Sequence, residues 1–291
     1  MLQNGQDGCV SEAVIRVLTW NILAAPWAGP RHYPNDMPIE VLDRQRRLEL
    51  TCAALRNRRD GFDAIALQEV TMCDIDALHT ALGRDEFEVG YAQYPAHYWA
   101  HWLDSPAQWE PNGTVLWLRR SAFVGVRFES FPIGPYGNRA VVAAATTNDD
   151  RVVNLASVHL DADDRERRLE EWESLLATID GDAESSLIIC GDLNTDTSIA
   201  TMTAILTRHM LSDALTVVGN QDPTHPYARP GDSHALWARI DHVVVRGFTP
   251  IAGRVLDSGV WDLDAPAERI EALLRATGSD HHAVEVALRA V

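Results

Sequence analysis

Six short polar clusters sit beside apolar runs in this chain of 291 residues. They are Thr19-Trp20-Asn21, Leu67-Gln68-Glu69-Val70, Val158-His159-Leu160-Asp161, Gly191-Asp192-Leu193-Asn194, Arg239-Ile240-Asp241-His242 and Ser279-Asp280-His281. A carboxylate such as Glu69 suits a hard divalent ion, which prefers oxygen ligands. An asparagine such as Asn21 can hold such a carboxylate in place. An imidazole titrates near neutral pH, and a carboxylate partner fixes its tautomer, so the pair can move protons. Asp241 interrupts an apolar run, where an unpaired charge is costly. One of the histidines His281 and His282 would serve as its partner. Each cluster also has a plainer reading. Asp192 and Asn194 could cap a turn, Glu69 could be an ordinary residue after a strand, and His159 could be structural.

The elements that would carry these groups are visible in the pattern. Ile15–Trp20, Asp63–Leu67, Gly113–Leu118, Ala140–Thr146, Val152–Val158, Leu187–Cys190, Arg239–Val245 and Ala283–Leu288 read as strands. The polar residues then fall at strand ends, where open sheets bind ligands. Val41, Leu48, Cys52 and Leu55 recur at helical spacing, and the interleaved Arg44, Arg46, Arg47, Arg56, Arg58 and Arg59 predict a wet basic face. Apolar spacing predicts further helices around residues 75–82, 169–179, 199–205 and 270–274. Residues 24–38 and 219–238 are proline-containing loops. In the first, Trp27, His32 and Tyr33 are candidates to line a pocket. The stretch Tyr91–Asn112 is dense in aromatics. Tyr98, Trp99 and Trp102 within it are candidate substrate-binding residues, a stacking platform for a base, sugar or acyl group. A folded-back aromatic cluster accounts for the same residues equally well.

Composition narrows the class. A formal charge of −17 argues against an extended basic surface for long nucleic acid. No apolar run is long enough to span a membrane. The N-terminus lacks the basic and apolar regions of a signal peptide. A short tail over residues 1–13 and one domain over 14–291 are expected. Cys9, Cys52, Cys73 and Cys190 are scattered without a CxxC pair, which predicts reduced thiols and a cytoplasmic location.

In order and spacing, the six clusters resemble the endonuclease/exonuclease/phosphatase superfamily, from about Val14 to Leu288. The resemblance implies an α/β fold, a four-layer sandwich of two mixed β-sheets packed face to face with helices outside. It implies Mg²⁺ or Mn²⁺ held by Glu69, with Asn21 at that ion and Asp280 completing its shell. Asp192 and Asn194 would align the attacking water and the scissile phosphate. His281 would act with Asp241 orienting it, and His159 would stabilise the phosphate or assist proton transfer. The implied activity is metal-dependent hydrolysis of a phosphodiester, on a small molecule or a short nucleic-acid end. The alternatives are a phosphomonoesterase on inositol or sugar phosphates and a catalytically silent binding member.

Overall fold

Alternation along the strands dictates how the layers stack. In Leu187–Cys190, Ile188 and Cys190 belong to one buried cluster and Leu187 and Ile189 to another. A strand with two apolar faces must be covered on both sides. The structure is a computed structural model; it describes residues 13–29, 32–33, 37–99, 103, 109–179, 185–227, 236–256 and 266–291.

The first sheet draws mainly on the N-terminal half: β1 (Val14–Asn21), β2 (Ala64–Thr71), β3 (Phe87–Gln93) and β4 (Asn112–Arg119). The second begins with β5 (Phe123–Pro132), β6 (Arg139–Thr147), β7 (Val152–His159) and β8 (Ser186–Asp192). Six shorter or later strands follow: β9 (Ser212–Asp213), β10 (His225–Tyr227), β11 (Leu236–Ala238), β12 (Asp241–Arg246), β13 (Phe248–Val255) and β14 (Val284–Ala290). The sheets run β13-β14-β1-β2-β4-β3 and β5-β6-β7-β8-β12-β9, with β10-β11 a separate hairpin. Both are mixed: β1–β2 and β7–β8 are parallel, and the other pairs are antiparallel.

Val17, Ala66 and Leu116 of the first sheet share one core with Val141, Leu155, Ile188 and Val243 of the second. The outer face of the first sheet packs Leu18, Ile65 and Trp117 on α2 (Arg44–Arg56) and α3 (Ile75–Leu82). That of the second packs Val158 and Ile189 on α5 (Arg165–Ile179) and α6 (Ala200–Arg208). The remaining helical turns are α1 (Ile39–Leu42), α4 (Ala96–Trp99), α7 (Ala214–Val217) and the longer α8 (Pro266–Thr277). The result is the expected four-layer sandwich. No helix among the described residues is long and apolar enough to cross a membrane.

One expectation needs correcting. The arginine-rich segment is split at Asp43, whose carboxylate caps α2 by accepting from Arg46 N at 2.9 Å. Arg47 is not on a wet face; it is buried and donates to the carbonyls of Leu42, Ile22, Leu23 and Gly278. Carbonyls of a loop that must be buried need a donor, and a guanidinium offers five.

Gly191 allows β8 to deliver Asp192. Its φ is 154°, and a Cβ there would lie 1.9 Å from the carbonyl oxygen of Val158 on the adjacent strand. Gly191→Ala is therefore expected to destabilise the fold by about 3 kcal/mol or more, through backbone strain and overpacking. Urea unfolding of the variant, with an unchanged m-value, is the measurement; a loss under about 1 kcal/mol would contradict the close approach.

Candidate active site

The two sheets meet at the carboxyl ends of β1, β7 and β8, and the polar clusters meet there too. Asp192 ends β8, with His159 its partner in the parallel register of β7 and Asp241 its partner in the antiparallel register of β12. Asn21 ends β1. Its Nδ2 donates to Glu69 Oε1 at 2.9 Å and to Asp192 Oδ2 at 3.1 Å. Its Oδ1 accepts from Leu23 N at 3.0 Å, which fixes the amide the right way round.

Glu69 lies inside β2 rather than beyond its end. The ladder to β4 shifts register between Leu67 and Val70, and Glu69 has φ 52°. A bulge of this kind re-aims a side chain. The carboxylate also accepts from Ala24 N at 3.1 Å through Oε2. Asn194 has φ 50°, accepts nothing from Asp192 but donates its backbone N–H to Asp192 Oδ1 at 2.9 Å, and anchors its amide on Leu160 O at 2.9 Å.

Two imidazoles face the same oxygen. His159 Nε2 is 3.6 Å and His281 Nε2 3.7 Å from Asp192 Oδ2. His281 Nδ1 is bonded to Asp241 Oδ2 at 2.8 Å. Of the adjacent histidines, His282 turns away to Leu256 O, so His281 is the partner of Asp241. Burial opposes a charge on His281, but Asp241, then Asp192 and Asp280, outweigh it and lift its pKa to about 10. Asp241 is held below the usual carboxylate range against its own burial, chiefly by His281. Asp280 is held well below that range by His225 and His281, despite burial. It accepts from Tyr33 OH at 2.8 Å and faces His225, in the same cleft as Glu69.

These groups open into a cleft of about 340 Å³ whose walls include Trp27, His32, Tyr33, Asn138, His225 and Ile270. Trp27, His32 and Tyr33 thus lie where a pocket was expected, with Trp109 edge-on to Trp27 at 6.1 Å. Of the aromatic platform, Tyr98 sits outside the lining, its ring against His97 at 4.4 Å and packed on Gly137. The Trp99 side chain and Trp102 lie outside the described residues. His225, Asn138 and Glu171 were not singled out by sequence. His225 carried a signal, a histidine in a proline-flanked loop just before the Asp241 cluster; the other two carried none.

Asn138 is set by a buried acid beneath it. Its Nδ2 donates to Glu171 Oε1 at 2.9 Å, while Glu171 Oε2 accepts from Asp161 N at 2.7 Å. Burial pushes the Glu171 carboxyl up to about 7.

The donor chemistry at the floor fits a hard cation. Glu69, Asp192 and Asp280 gather there with Asp241 behind His281, and among the described lining residues there is no arginine. The chain has no lysine at all. Imidazoles and amides are thus the donors that the described lining offers an anion.

Fold and site together define a scaffold built for phosphoester chemistry. The chain belongs to the endonuclease/exonuclease/phosphatase family, whose model matches residues 18–281 and whose members are hydrolases of phosphoesters, generally dependent on a divalent metal. Solved structures agree in fold. The endonuclease/exonuclease/phosphatase from Bacteroides vulgatus superposes with TM-score 0.70 at 16% identity, covering 96% of this chain and 100% of its own. ANGEL2, a 2′,3′-cyclic phosphatase, in complex with adenosine-2′,3′-vanadate, gives 0.74 at 15%, covering 97% of each chain. D. rerio TDP2 with a single-strand DNA product gives 0.64 at 17%, covering 96% and 100%. No protein of curated function matches the sequence.

The raised acid beneath Asn138 gives a stability signature. With a folded pKa of about 7 against 4.5, the stability Glu171 contributes is full below pH 4.5 and is lost as pH rises through 7. Glu171→Gln lacks this titration. Its stability relative to wild type should rise between pH 4.5 and 7.5 by up to ~3 kcal/mol. Parallel thermal melts measure this; a pH-independent difference would show that Glu171 ionises normally.

Proposed function

We propose that this protein is a divalent-metal-dependent phosphodiesterase acting on a small phosphodiester or a short nucleic-acid end. The observation that carries the reading is convergence on one atom. Asn21, His159 and His281, from β1, β7 and the loop before β14, all point at Asp192 Oδ2, with Glu69 alongside. A structural hydrogen-bond network would satisfy its donors; here both imidazoles stop short of hydrogen-bond distance and open on the cleft. A phosphoryl oxygen or a water on the cleft side can meet the imidazole N–H groups that Asp192 does not take up.

Glu69, oriented by Asn21, would hold Mg²⁺ or Mn²⁺, and the ion would supply Lewis-acid neutralisation of charge on the phosphoryl oxygens. The protein's own groups do the rest. His159 and His281 present N–H donors to non-bridging oxygens, where charge grows in the transition state. Asp241 fixes the tautomer of His281 and supports its charge. Asp192, itself held by Asn21 and by the backbone of Asn194, orients the attacking water and accepts its proton. Asn194, pinned to Leu160 O, keeps that turn rigid under the phosphate. The acidic described lining, without an arginine, suits a diester carrying a single negative charge better than a highly charged polyphosphate.

Hydrolysis of bis-p-nitrophenyl phosphate with Mg²⁺ or Mn²⁺, abolished by EDTA, tests the reading. His281→Ala, His159→Ala and Asp192→Asn should each lower kcat by about 10²–10⁴-fold while the protein remains folded. Near-wild-type turnover of the His281 variant would sink the assignment. Separately, Mg²⁺ at a hundred times its Kd should stabilise wild type by about 2.7 kcal/mol. Glu69→Gln should lose most of that gain in a thermal-shift titration, and a retained gain would move the ion elsewhere.

A further inference from the structure

A third histidine stands beside His281 and has no part in the hydrolysis described above. His225 comes in on β10, and its neighbour Thr224 ties that strand to the site. Thr224 Oγ1 accepts from Ile240 N and Asp241 N, each at 3.1 Å, and Thr224 O accepts from His282 N at 2.7 Å. The hairpin base is thus stitched to both segments that carry the Asp241–His281 pair. In consequence the His225 ring lies 4.3 Å from the His281 ring, tilted by 39°. Its Nε2 is 3.7 Å from Asp280 Oδ2.

One ligand atom each from His225, Asp280 and His281 lies within 4.8 Å of the others. Donors bound at about 2.1 Å around a tetrahedral ion are about 3.4 Å apart, so closure needs only small side-chain movements. Both ends of the set are already braced. His281 Nδ1 is committed to Asp241, which leaves Nε2 as the ligand atom, and Asp280 is oriented by Tyr33. A carboxylate behind a ligating imidazole is the usual outer-shell arrangement of a metal site. All three residues line the cleft, so an ion has a path to them.

We propose that His225, Asp280 and His281 form a second cation site, distinct from that at Glu69, which takes an imidazole-preferring transition ion such as Co²⁺ or Zn²⁺ over Mg²⁺. Two nitrogens and one carboxylate are a poor set for Mg²⁺, which demands oxygen, and a good one for borderline ions. The proposal assigns Asp280 to this ion instead of the Glu69 ion, because its carboxylate lies with the two imidazoles. An ion there occupies the nitrogen that His281 would otherwise present to a phosphoryl oxygen.

Metal-stripped full-length protein titrated with Co²⁺ tests this, read by visible ligand-field absorption and by elemental analysis of bound metal after gel filtration. Wild type is expected to bind a second equivalent of Co²⁺ that gives an absorption band resistant to excess Mg²⁺. Glu69→Gln should keep the band and lose the other equivalent. His225→Phe should lose the band and keep the Glu69 equivalent. His225→Gln should do the same, and it carries the test if the Phe variant fails to fold. Wild-type Co²⁺ binding by a folded His225 variant would overturn the proposal. So would loss of the band in Glu69→Gln, or its displacement by Mg²⁺. None of these readouts depends on turnover, so a failure here leaves the hydrolase reading standing.

Discussion

The side-chain amide of Asn21 holds the two halves of the site together. It belongs to the first sheet, as does Glu69, whereas Asp192 belongs to the second. A single nitrogen donating to both carboxylates fixes their separation, and a hydrogen bond to a charged acceptor contributes about 1.5–3 kcal/mol. One layer down, Gln68 Nε2 reaches across to Ser157 Oγ at 3.1 Å, Ser157 Oγ donates to Leu67 O at 3.4 Å and Thr114 Oγ1 donates to Ser157 O at 3.3 Å, further polar links in a largely apolar interface. Face-to-face sheets can slide over a smooth hydrophobic contact at little cost. Buried directional bonds penalise such sliding because each leaves a polar group unsatisfied. The position of Glu69 relative to Asp192 is therefore set largely by the sandwich interior, with the Ala24 N–H of the following loop as a further restraint.

That dependence explains what could be read from residues alone. The strands carrying Asn21, His159, Asp192 and Asp241 announced themselves because both of their faces are apolar, and the polar residue that ends β1, β7 or β8 or opens β12 stands out against the run. The pairing of Asp241 with a histidine followed from the cost of burying its charge, although choosing His281 over His282 required the alternation of the backbone. The bulge at Glu69 could not be read, since a positive φ at a glutamate has no sequence signature. Nor could the burial of Arg47: helical spacing says which face a residue occupies, but not that loop carbonyls from Ile22 to Gly278 will close over it. Glu171 was hidden for a related reason. It lies in a helix rich in charges, and only the fold brings Asn138 and Asp161 to its carboxylate. The edge strands β3, β5 and β13 were also missed, because a strand with a solvated face lacks a continuous apolar run.

Electrostatics then determines what such a cleft can hold. Glu69, Asp192 and Asp280 line the cleft, Asp241 lies behind His281, and His281 and His225 stand on one side with His159 on the other. Without a counter-ion the carboxylates repel one another and any phosphate, and the field of Asp241, Asp192 and Asp280 pulls a proton onto His281. An acidic cleft of this kind is consistent with the family's general dependence on a divalent metal, since a bound cation offsets such a field. The buried guanidinium of Arg47 is spent on backbone carbonyls.

The three imidazoles differ in what restrains them, and that difference separates their chemistry. His281 has one nitrogen fixed by a buried carboxylate, so only its other nitrogen is available and its direction is set. His159 is restrained by its place at the end of β7 and faces carboxylates at 3.6 and 4.0 Å without a short bond to either. It can tilt toward an incoming oxygen at little cost. His225 is fixed through the backbone of its hairpin and meets a carboxylate already held by a tyrosine. A nitrogen in a rigid frame, next to a second rigid nitrogen and an oriented oxygen, is preorganised for an ion; a nitrogen that can tilt is suited to a substrate oxygen that moves as it reacts. The same side-chain type, placed by a strand end, a loop and a hairpin, thus acquires three different capacities from the backbone that carries it.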